Sequence, residues 1–207
     1  MRGAGITIQI LLTSAILAFV IAFIAGIARV SRWIVVRAIT GAFVELFRGS
    51  SLLVQMFFFF YALPAFGINL SPFTAGVVAL GLNYGAYASE IVRGAIVAIP
   101  HGQSEAGIAL NMTRWQRMRL VILPQAFRIM LPGFGNISIE LLKGTSLVSL
   151  ITLADLTFQG TVLMNSNTGA AFEIFTLLLI LYFLIALPLI LMARWLEKRA
   201  ARGVAVR

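Results

Sequence analysis

The chain has 207 residues, of which 60% are hydrophobic and only 11% are charged. Soluble domains carry about 25% charged residues, so this composition excludes an ordinary soluble globule, and it excludes a disordered chain as well. The formal net charge is +9, cysteine is absent, and His101 is the single histidine. Disulfides, thiolate chemistry and Cys- or His-based metal sites are therefore excluded, and we expect an integral membrane protein without a metal site.

Long apolar stretches predict five membrane-spanning helices in one all-α domain, 1–207. A helix needs about 20 residues to cross the hydrocarbon. Gly3–Ala28 carries no charge, and the uncharged run 49–89 is divided by a turn at 64–72 that contains Pro and Gly. Two more apolar stretches follow residue 119. The predicted spans are 5–28, 43–63, 73–99, 120–143 and 172–196.

The distribution of basic residues predicts the orientation of the chain. Three clusters at one end of the predicted spans hold 14 of the 16 Lys and Arg. The positive-inside rule then places the N-terminus outside and the C-terminus inside. These residues sit at membrane edges, which favours membrane lipid over nucleic acid as their partner. The clusters are Arg29, Arg32, Arg37 and Arg48; Arg93, Arg114, Arg117, Arg119 and Arg128; and Arg194, Lys198, Arg199, Arg202 and Arg207.

The cytoplasmic segment 100–119 predicts a short helix at the membrane surface. Residues 105–110 form a helical stretch, and Asn111 tolerates the left-handed conformation that turns a chain between two helices. Thr113 and Gln116 have the spacing of a capping box for a second helix. Such a surface helix is either a docking element for a soluble partner or an amphipathic helix on lipid, and the residues alone leave both open.

The same segment resembles the EAA loop of ABC importer permeases. That pattern reads E-A-A, three residues, G, nine residues, then I-x-L-P. Glu105, Ala106 and Gly107 are followed at these intervals by Asn111 and by V-I-L-P at 121–124. The substitutions in the pattern conserve size or backbone freedom. The resemblance implies that this loop is a coupling helix seated on an ATPase subunit.

Three further segments resemble the polar amino-acid branch of these permeases, in the same order along the chain. They are E-L-F-R-G-S-S-L-L-V-Q at 45–55, G-A-Y-A-S-E-I-V-R-G at 85–94 and L-K-G-T-S-L-V-S at 142–149. Within that branch, 139–145 and 151–158 are most similar to the permeases of ectoine and hydroxyectoine importers. The resemblance therefore implies a small amino-acid-like solute, with ectoine favoured and arginine, histidine, glutamine or an opine as alternatives.

The resemblance implies a type I importer permease in the bacterial inner membrane. Such a subunit is not an enzyme and binds no cofactor, and the sequence carries no P-loop, so Mg-ATP would bind the partner ATPase. The implied partners are two ATPase subunits, a second permease subunit (a related chain or a copy of this one) and an external solute-binding protein. An ATP-independent transporter or channel is the alternative, and the EAA-like loop argues against it. The predicted coupling residues are Glu105, Ala106, Gly107, Leu110, Asn111 and Trp115.

Glu140 is the strongest candidate for a substrate contact, because ionisable groups inside a membrane are costly and functional by default. It follows Pro132 and two glycines, which predict an interruption of the fourth span, and transporters place substrate sites at interrupted helices. The alternative is an ion pair with Lys143. Aromatic groups beside a carboxylate suit a cationic ligand, although tyrosines also serve helix packing. The predicted substrate residues are Glu140, Thr145, Ser146, Asn83, Tyr84 and Tyr87.

Two acid–base pairs, Glu45 with Arg48 and Glu90 with Arg93, have the three-residue spacing that shares a helix face. Both lie near the predicted cytoplasmic edge. We expect them to be structural ion pairs in preference to gating elements, each worth about 0–1 kcal/mol if exposed.

Overall fold

The computed structural model describes residues 2–201, with side chains from 3 to 200, and within that range every regular element is a helix. Arg202 and Arg207, which entered the orientation argument, lie outside the described residues. The α-helices are α1 Arg2–Ala28, α2 Ile34–Gly49, α3 Leu52–Phe57, α4 Pro72–Val97, α5 His101–Ala109, α6 Arg114–Arg117, α7 Leu123–Gly144, α8 Leu156–Ser166 and α9 Ala171–Ala201.

Shorter helical turns extend three of these elements. A π-helical turn and a 3-10 turn carry α3 on to Phe66, and a second π-helical turn, Met118–Ile122, joins α6 to α7. A 3-10 stretch, Thr145–Ile151, follows α7. The chain therefore stays helical almost continuously across its apolar stretches, which satisfies backbone polar groups where no water is available.

Helix α4 forms the centre of the bundle, and its glycines allow α1 to approach closely. A Cβ added at Gly81 would lie 2.5 Å from Leu17 Cδ2, and one at Gly85 would lie 2.8 Å from Ile21 Cβ. Small residues at such crossings are the usual means by which membrane helices pack, because lipid supplies no hydrophobic driving force between them.

Gly85→Ala is therefore expected to lower the free energy of unfolding in detergent by about 1–3 kcal/mol, the range for overpacking of a tight core. The melting temperature should fall accordingly. Gly94→Ala, on the same helix, is the matched control because a Cβ there meets nothing within 4 Å. The control is expected to be neutral or slightly stabilising, since Ala is a better helix former than Gly. Equal melting temperatures for the two variants would contradict the close α1–α4 contact.

Length and composition identify three helical stretches able to cross a membrane: Gly3–Ala28, Arg114–Ile151 and Thr168–Ala200. A bent pair, Ile34–Gly49 with Leu52–Phe66, raises this to four in the described part of the chain. Helix α4 has 26 residues, which is long enough for a span. The total of five spans and the orientation of the termini stay predictions.

The structure bends sharply within the stretch that was predicted as the second span. The axes of α2 and of the stretch that begins with α3 differ by 101°, at a break where Ser50 and Ser51 adopt extended backbone. The Phe47 carbonyl, left without a helical partner there, accepts hydrogen bonds from the side-chain amides of Gln55, at 2.8 Å, and Asn83, at 2.9 Å. These bonds satisfy the orphan carbonyl that would otherwise make such a break costly.

The interruption predicted near Pro132 lies instead at the end of α7. That helix is continuous from Leu123 to Gly144 with Pro132 inside it. The backbone changes to 3-10 geometry at Thr145 and turns at Thr152, whose φ is 66°.

Candidate functional site

The segment between α4 and α7 has the geometry that the sequence predicts. Helix α5 ends at Ala109, and Asn111 takes the left-handed conformation with φ 55°. The Thr113 hydroxyl accepts from the backbone N–H of Gln116, and the Gln116 side chain accepts from the Thr113 N–H, which completes the capping box. Two short helices are thus held at a fixed turn at one end of the bundle.

The outer surface of this turn exposes two large apolar side chains among polar ones. Leu110 is 75% exposed and Trp115 is 66% exposed. Glu105 and Ala106, on α5, are exposed as well. An apolar surface rimmed by a carboxylate and basic residues, presented on a rigid turn, is typical of a protein docking site.

Gly107 is on the buried side of α5 and lets α5 pack against α6. It is buried, and a Cβ there would lie 2.7 Å from Cγ and Cδ of Arg117. The Arg117 guanidinium donates to the Ser104 carbonyl at 3.3 Å. Gly107 therefore lets the Arg117 side chain pass close to α5. Of the six predicted coupling residues, Gly107 is buried and supports the turn, and the other five are exposed.

Five of the six predicted substrate residues fall into two groups. Around Glu140, the Tyr84 hydroxyl donates to the Glu140 carbonyl at 2.9 Å and lies against Gly144. The Glu140 side chain is exposed, and it forms no ion pair with Lys143. Thr145 is fully buried and donates to the Leu142 carbonyl at 2.6 Å.

The second group lies against the break between α2 and α3. Asn83 is 4% exposed and bonds to Phe47 and Gln55. The Tyr87 hydroxyl donates to the Arg48 carbonyl at 3.1 Å, and the Arg48 guanidinium lies 5.4 Å from the Tyr87 ring centroid. In this conformation both side chains hold the break together. Ser146 belongs to neither group and donates to the Lys143 carbonyl at 2.8 Å.

The two acid–base pairs predicted from spacing are present and belong to one larger cluster. Arg48 lies 3.5 Å from Glu45, and Arg93 lies 2.9 Å from Glu90. Arg29, just beyond α1, contacts Glu90 directly and lies 4.0 Å from Glu45. Arg48 also reaches Glu90, at 3.7 Å. Glu90 thus meets three guanidinium groups and links α1, α2 and α4 near the α5 end of the bundle.

Asp155, at the other end of the bundle, is a polar residue that the sequence reasoning did not single out. It is fully buried, and its carboxylate accepts from the Phe158 N–H at 2.9 Å, which caps α8. The Tyr182 hydroxyl donates to it at 3.3 Å. The spacing typical of a helix N-cap was the one signal available, and it does not reveal the contact with α9.

Stability is expected to depend on pH through Asp155. Burial raises the pKa of its carboxyl, and hydrogen bonds from Phe158, Thr157 and Tyr182 oppose this only in part. A raised folded-state pKa contributes stability below the unfolded value that is lost as pH rises through the folded value. As the pH rises above the ordinary Asp pKa of about 4, the melting temperature of Asp155→Asn should therefore increase relative to that of the wild type. If the difference in melting temperature between Asp155→Asn and the wild type did not change with pH, burial of the ionised Asp155 carboxylate would not be destabilising, and the prediction would be wrong.

An apolar crevice between α1, α7 and α9 contains none of the predicted substrate residues. Its walls include Phe134, Leu141 and Leu189. No group of three or more His, Cys, Asp or Glu residues in the described part of the chain is arranged to hold a metal ion.

Comparison with known proteins identifies the family. Residues 7–202 match the family described as Binding-protein-dependent transport system inner membrane component. A probable amino-acid ABC transporter permease, y4tF of Sinorhizobium fredii (strain NBRC 101917 / NGR234), is 46% identical over 97% of this chain and 87% of its own length. The L-cystine transport system permease TcyB of Bacillus subtilis (strain 168) is 39% identical over 98% of this chain and 87% of its own.

Structural comparison agrees with this result. A crystal structure of an amino acid ABC transporter with histidines superposes with a TM-score of 0.87, at 34% identity, over 96% of this chain and 92% of that one. The chain therefore belongs to the family of binding-protein-dependent transport system inner membrane components, and it has the all-helical fold of type I ABC importer permeases, the non-catalytic translocation subunits of their transporters.

Proposed function

We propose that this chain is the translocation subunit of an ATP-driven, binding-protein-dependent importer for an amino acid or amino-acid-like solute. The observation that carries the proposal is the exposed apolar face of α5 and α6, fixed by its capping box between two long helices. A rigid helical turn of this kind can transmit the movement of a soluble partner to α4 and α7. The relatives are named as permeases of amino-acid ABC transporters, which supports this reading.

The proposal requires partners, because the sequence has no phosphate-binding loop for ATP. Two ATPase subunits would dock on α5, one on each of two permease subunits. The second permease would be a copy of this chain or a related one. A solute-binding protein would deliver the ligand at the opposite membrane face.

We infer a small zwitterion with a cationic end as the solute. The Glu140 carboxylate is exposed, with the Tyr84 hydroxyl bonded to its backbone, and an anion beside an aromatic group suits a cation. Ectoine or hydroxyectoine is the favoured candidate from the sequence of 139–158, and arginine, histidine, glutamine or an opine is the alternative. Among the relatives, one is named for L-cystine and one structure contains histidines, which supports an amino-acid-like ligand and leaves its identity to experiment.

Glu140→Gln is expected to weaken uptake of a cationic or zwitterionic solute by roughly tenfold or more, the effect of removing a charge-assisted hydrogen bond worth about 1.5–3 kcal/mol. Initial rates of uptake by proteoliposomes that contain the complete complex measure this. The matched control is Glu173→Gln, an exposed carboxylate in the first turn of α9. Unchanged uptake kinetics in Glu140→Gln would show that the Glu140 carboxylate does not bind the solute.

The assembly itself is tested by purifying the tagged chain from its native membranes in mild detergent and identifying its companions by mass spectrometry. We expect an ATPase with a phosphate-binding loop in the eluate. A second permease polypeptide would establish a heterodimer, and its absence would favour a homodimer. A chain recovered alone, under conditions that preserve other ABC complexes, would favour the ATP-independent alternative.

A further inference from the structure

Helix α2 presents an apolar stripe that no described element of the chain covers. Val35, Ile39 and Leu46 are 63%, 65% and 65% exposed, and Ala42 between them is exposed too. Their spacing of four, three and four residues places them on one helix face. A stripe of this length on a surface helix needs a partner, either the lipid or another protein.

The ion-pair cluster fixes the depth at which this helix lies. Arg48, near the end of α2, pairs with both Glu45 and Glu90, and Arg29 joins them from the end of α1. Ionised groups avoid hydrocarbon, so the cluster marks the membrane–water boundary on the α5 side. Both ends of α2 lie near this level, because the helix begins only a few residues after α1 ends.

The bend after α2 is consistent with a helix in the plane of the membrane. The stretch Leu52–Phe66 leaves at 101° to α2, and its buried residue Met56 packs with Ile10 and Leu80 of the bundle core. The stretch Leu52–Phe66 therefore enters the hydrocarbon beside α4. Helix α2, in contrast, lies along the membrane–water boundary.

The start of α2 carries the residues that favour an anionic membrane surface. Arg32, Trp33 and Arg37 lie within six residues, and the chain contains no Asp or Glu before Glu45. Trp33 is 61% exposed, and the Arg32 guanidinium lies 5.3 Å from its ring centroid. Tryptophan with arginine beside an apolar stripe is the pattern of helices that lie in the headgroup region.

We propose that α2 is an interfacial anchor that binds anionic phospholipid in the leaflet on the α5 side. The apolar stripe inserts among the acyl chains, and Arg32 and Arg37 bind the lipid phosphates. Lipid is favoured over a second copy of this chain because residues 32–44 contain two arginines and a tryptophan and no acidic residue, the composition that an anionic lipid surface attracts. Through Glu45 and Arg48, the anchor also holds the cluster that joins α1 and α4.

The test uses the full chain in nanodiscs with Trp33 as its only tryptophan, after Trp115→Phe and Trp195→Phe. Nanodiscs contain phosphatidylcholine and phosphatidylglycerol, with bromine on the acyl chains of one lipid or the other. We expect both brominated lipids to quench Trp33, with phosphatidylglycerol enriched at least about fivefold around it, the effect of roughly one arginine near an anionic surface. The double variant R32Q/R37Q should remove this preference and retain the quenching.

The matched control is K198Q/R199Q, which removes the same charge from the end of α9 and should leave the preference at Trp33 unchanged. Absence of quenching by either lipid would show that protein covers the stripe and would overturn the proposal. Equal quenching by the two lipids in the wild-type sequence would overturn it as well, because the arginines would then select no headgroup.

Discussion

Glu105→Lys is expected to abolish coupled uptake while leaving the helical bundle folded. Glu105 is exposed on α5 beside the apolar face of Leu110 and Trp115, and it takes part in no ion pair among the described residues. Lys and Glu have similar helix propensity, so α5 itself should persist. An unfavourable charge at a docking surface costs several kcal/mol, which corresponds to a loss of affinity for the ATPase of about a hundredfold or more.

Four readouts separate this outcome from misfolding. Expression in the membrane and the melting temperature of the isolated chain should be unchanged, whereas recovery of the ATPase with the tagged chain and ATP-dependent uptake should both fall. Glu173→Lys makes the same charge change at the start of α9, at the other end of the bundle, and should leave assembly intact. Normal uptake by the Glu105→Lys variant would count heavily against the coupling role.

Glu90→Gln is expected to be the most destabilising single change in the ion-pair cluster. Its side chain is 21% exposed and meets Arg29, Arg48 and Arg93, which are 17%, 32% and 39% exposed. Removing the carboxylate leaves three guanidinium groups close together with Glu45 as their remaining acidic neighbour. Breaking a buried pair by removing one partner costs roughly 3–5 kcal/mol, and we expect a value near the lower end because these groups are partly exposed.

Glu45→Gln is the matched control within the same cluster. Glu45 is 66% exposed and lies 3.5 and 4.0 Å from its two partners, the geometry of a surface pair worth about 0–1 kcal/mol. Thermal melts of both variants in the same detergent give the comparison. Similar small losses for Glu90→Gln and Glu45→Gln would show that Glu90 is solvated and that the cluster does not join α1, α2 and α4.

Local signals in the sequence predict the coupling turn well. Thr113 and Gln116 form their capping box, and Asn111 takes the expected left-handed conformation. Each of these depends on residues within a few positions of one another, so spacing alone contains the information. The same is true of the pairs Glu45–Arg48 and Glu90–Arg93.

Features that depend on distant parts of the chain were not predictable in this way. Arg29 joins Glu90 because glycines allow α1 and α4 to pack closely, and no local pattern indicates that contact. The bend at Ser50 depends on the side-chain amide of Asn83, which sequence reasoning placed in a substrate site. Hydropathy predicted a single span over 43–63 and gave no sign of the bend, since it measures composition and does not detect the hydrogen bonds that stabilise a break.

Site-directed cross-linking from α5 tests the central claim most directly. The chain has no cysteine, so a single cysteine can carry a photoreactive group without a background reaction on this subunit. Leu110→Cys places that group on the exposed turn directly after α5, and Ile16→Cys, 67% exposed on α1, is the control. We expect an adduct with an ATPase subunit from Leu110→Cys alone; an adduct from neither position, or from both equally, would contradict a docking role for α5.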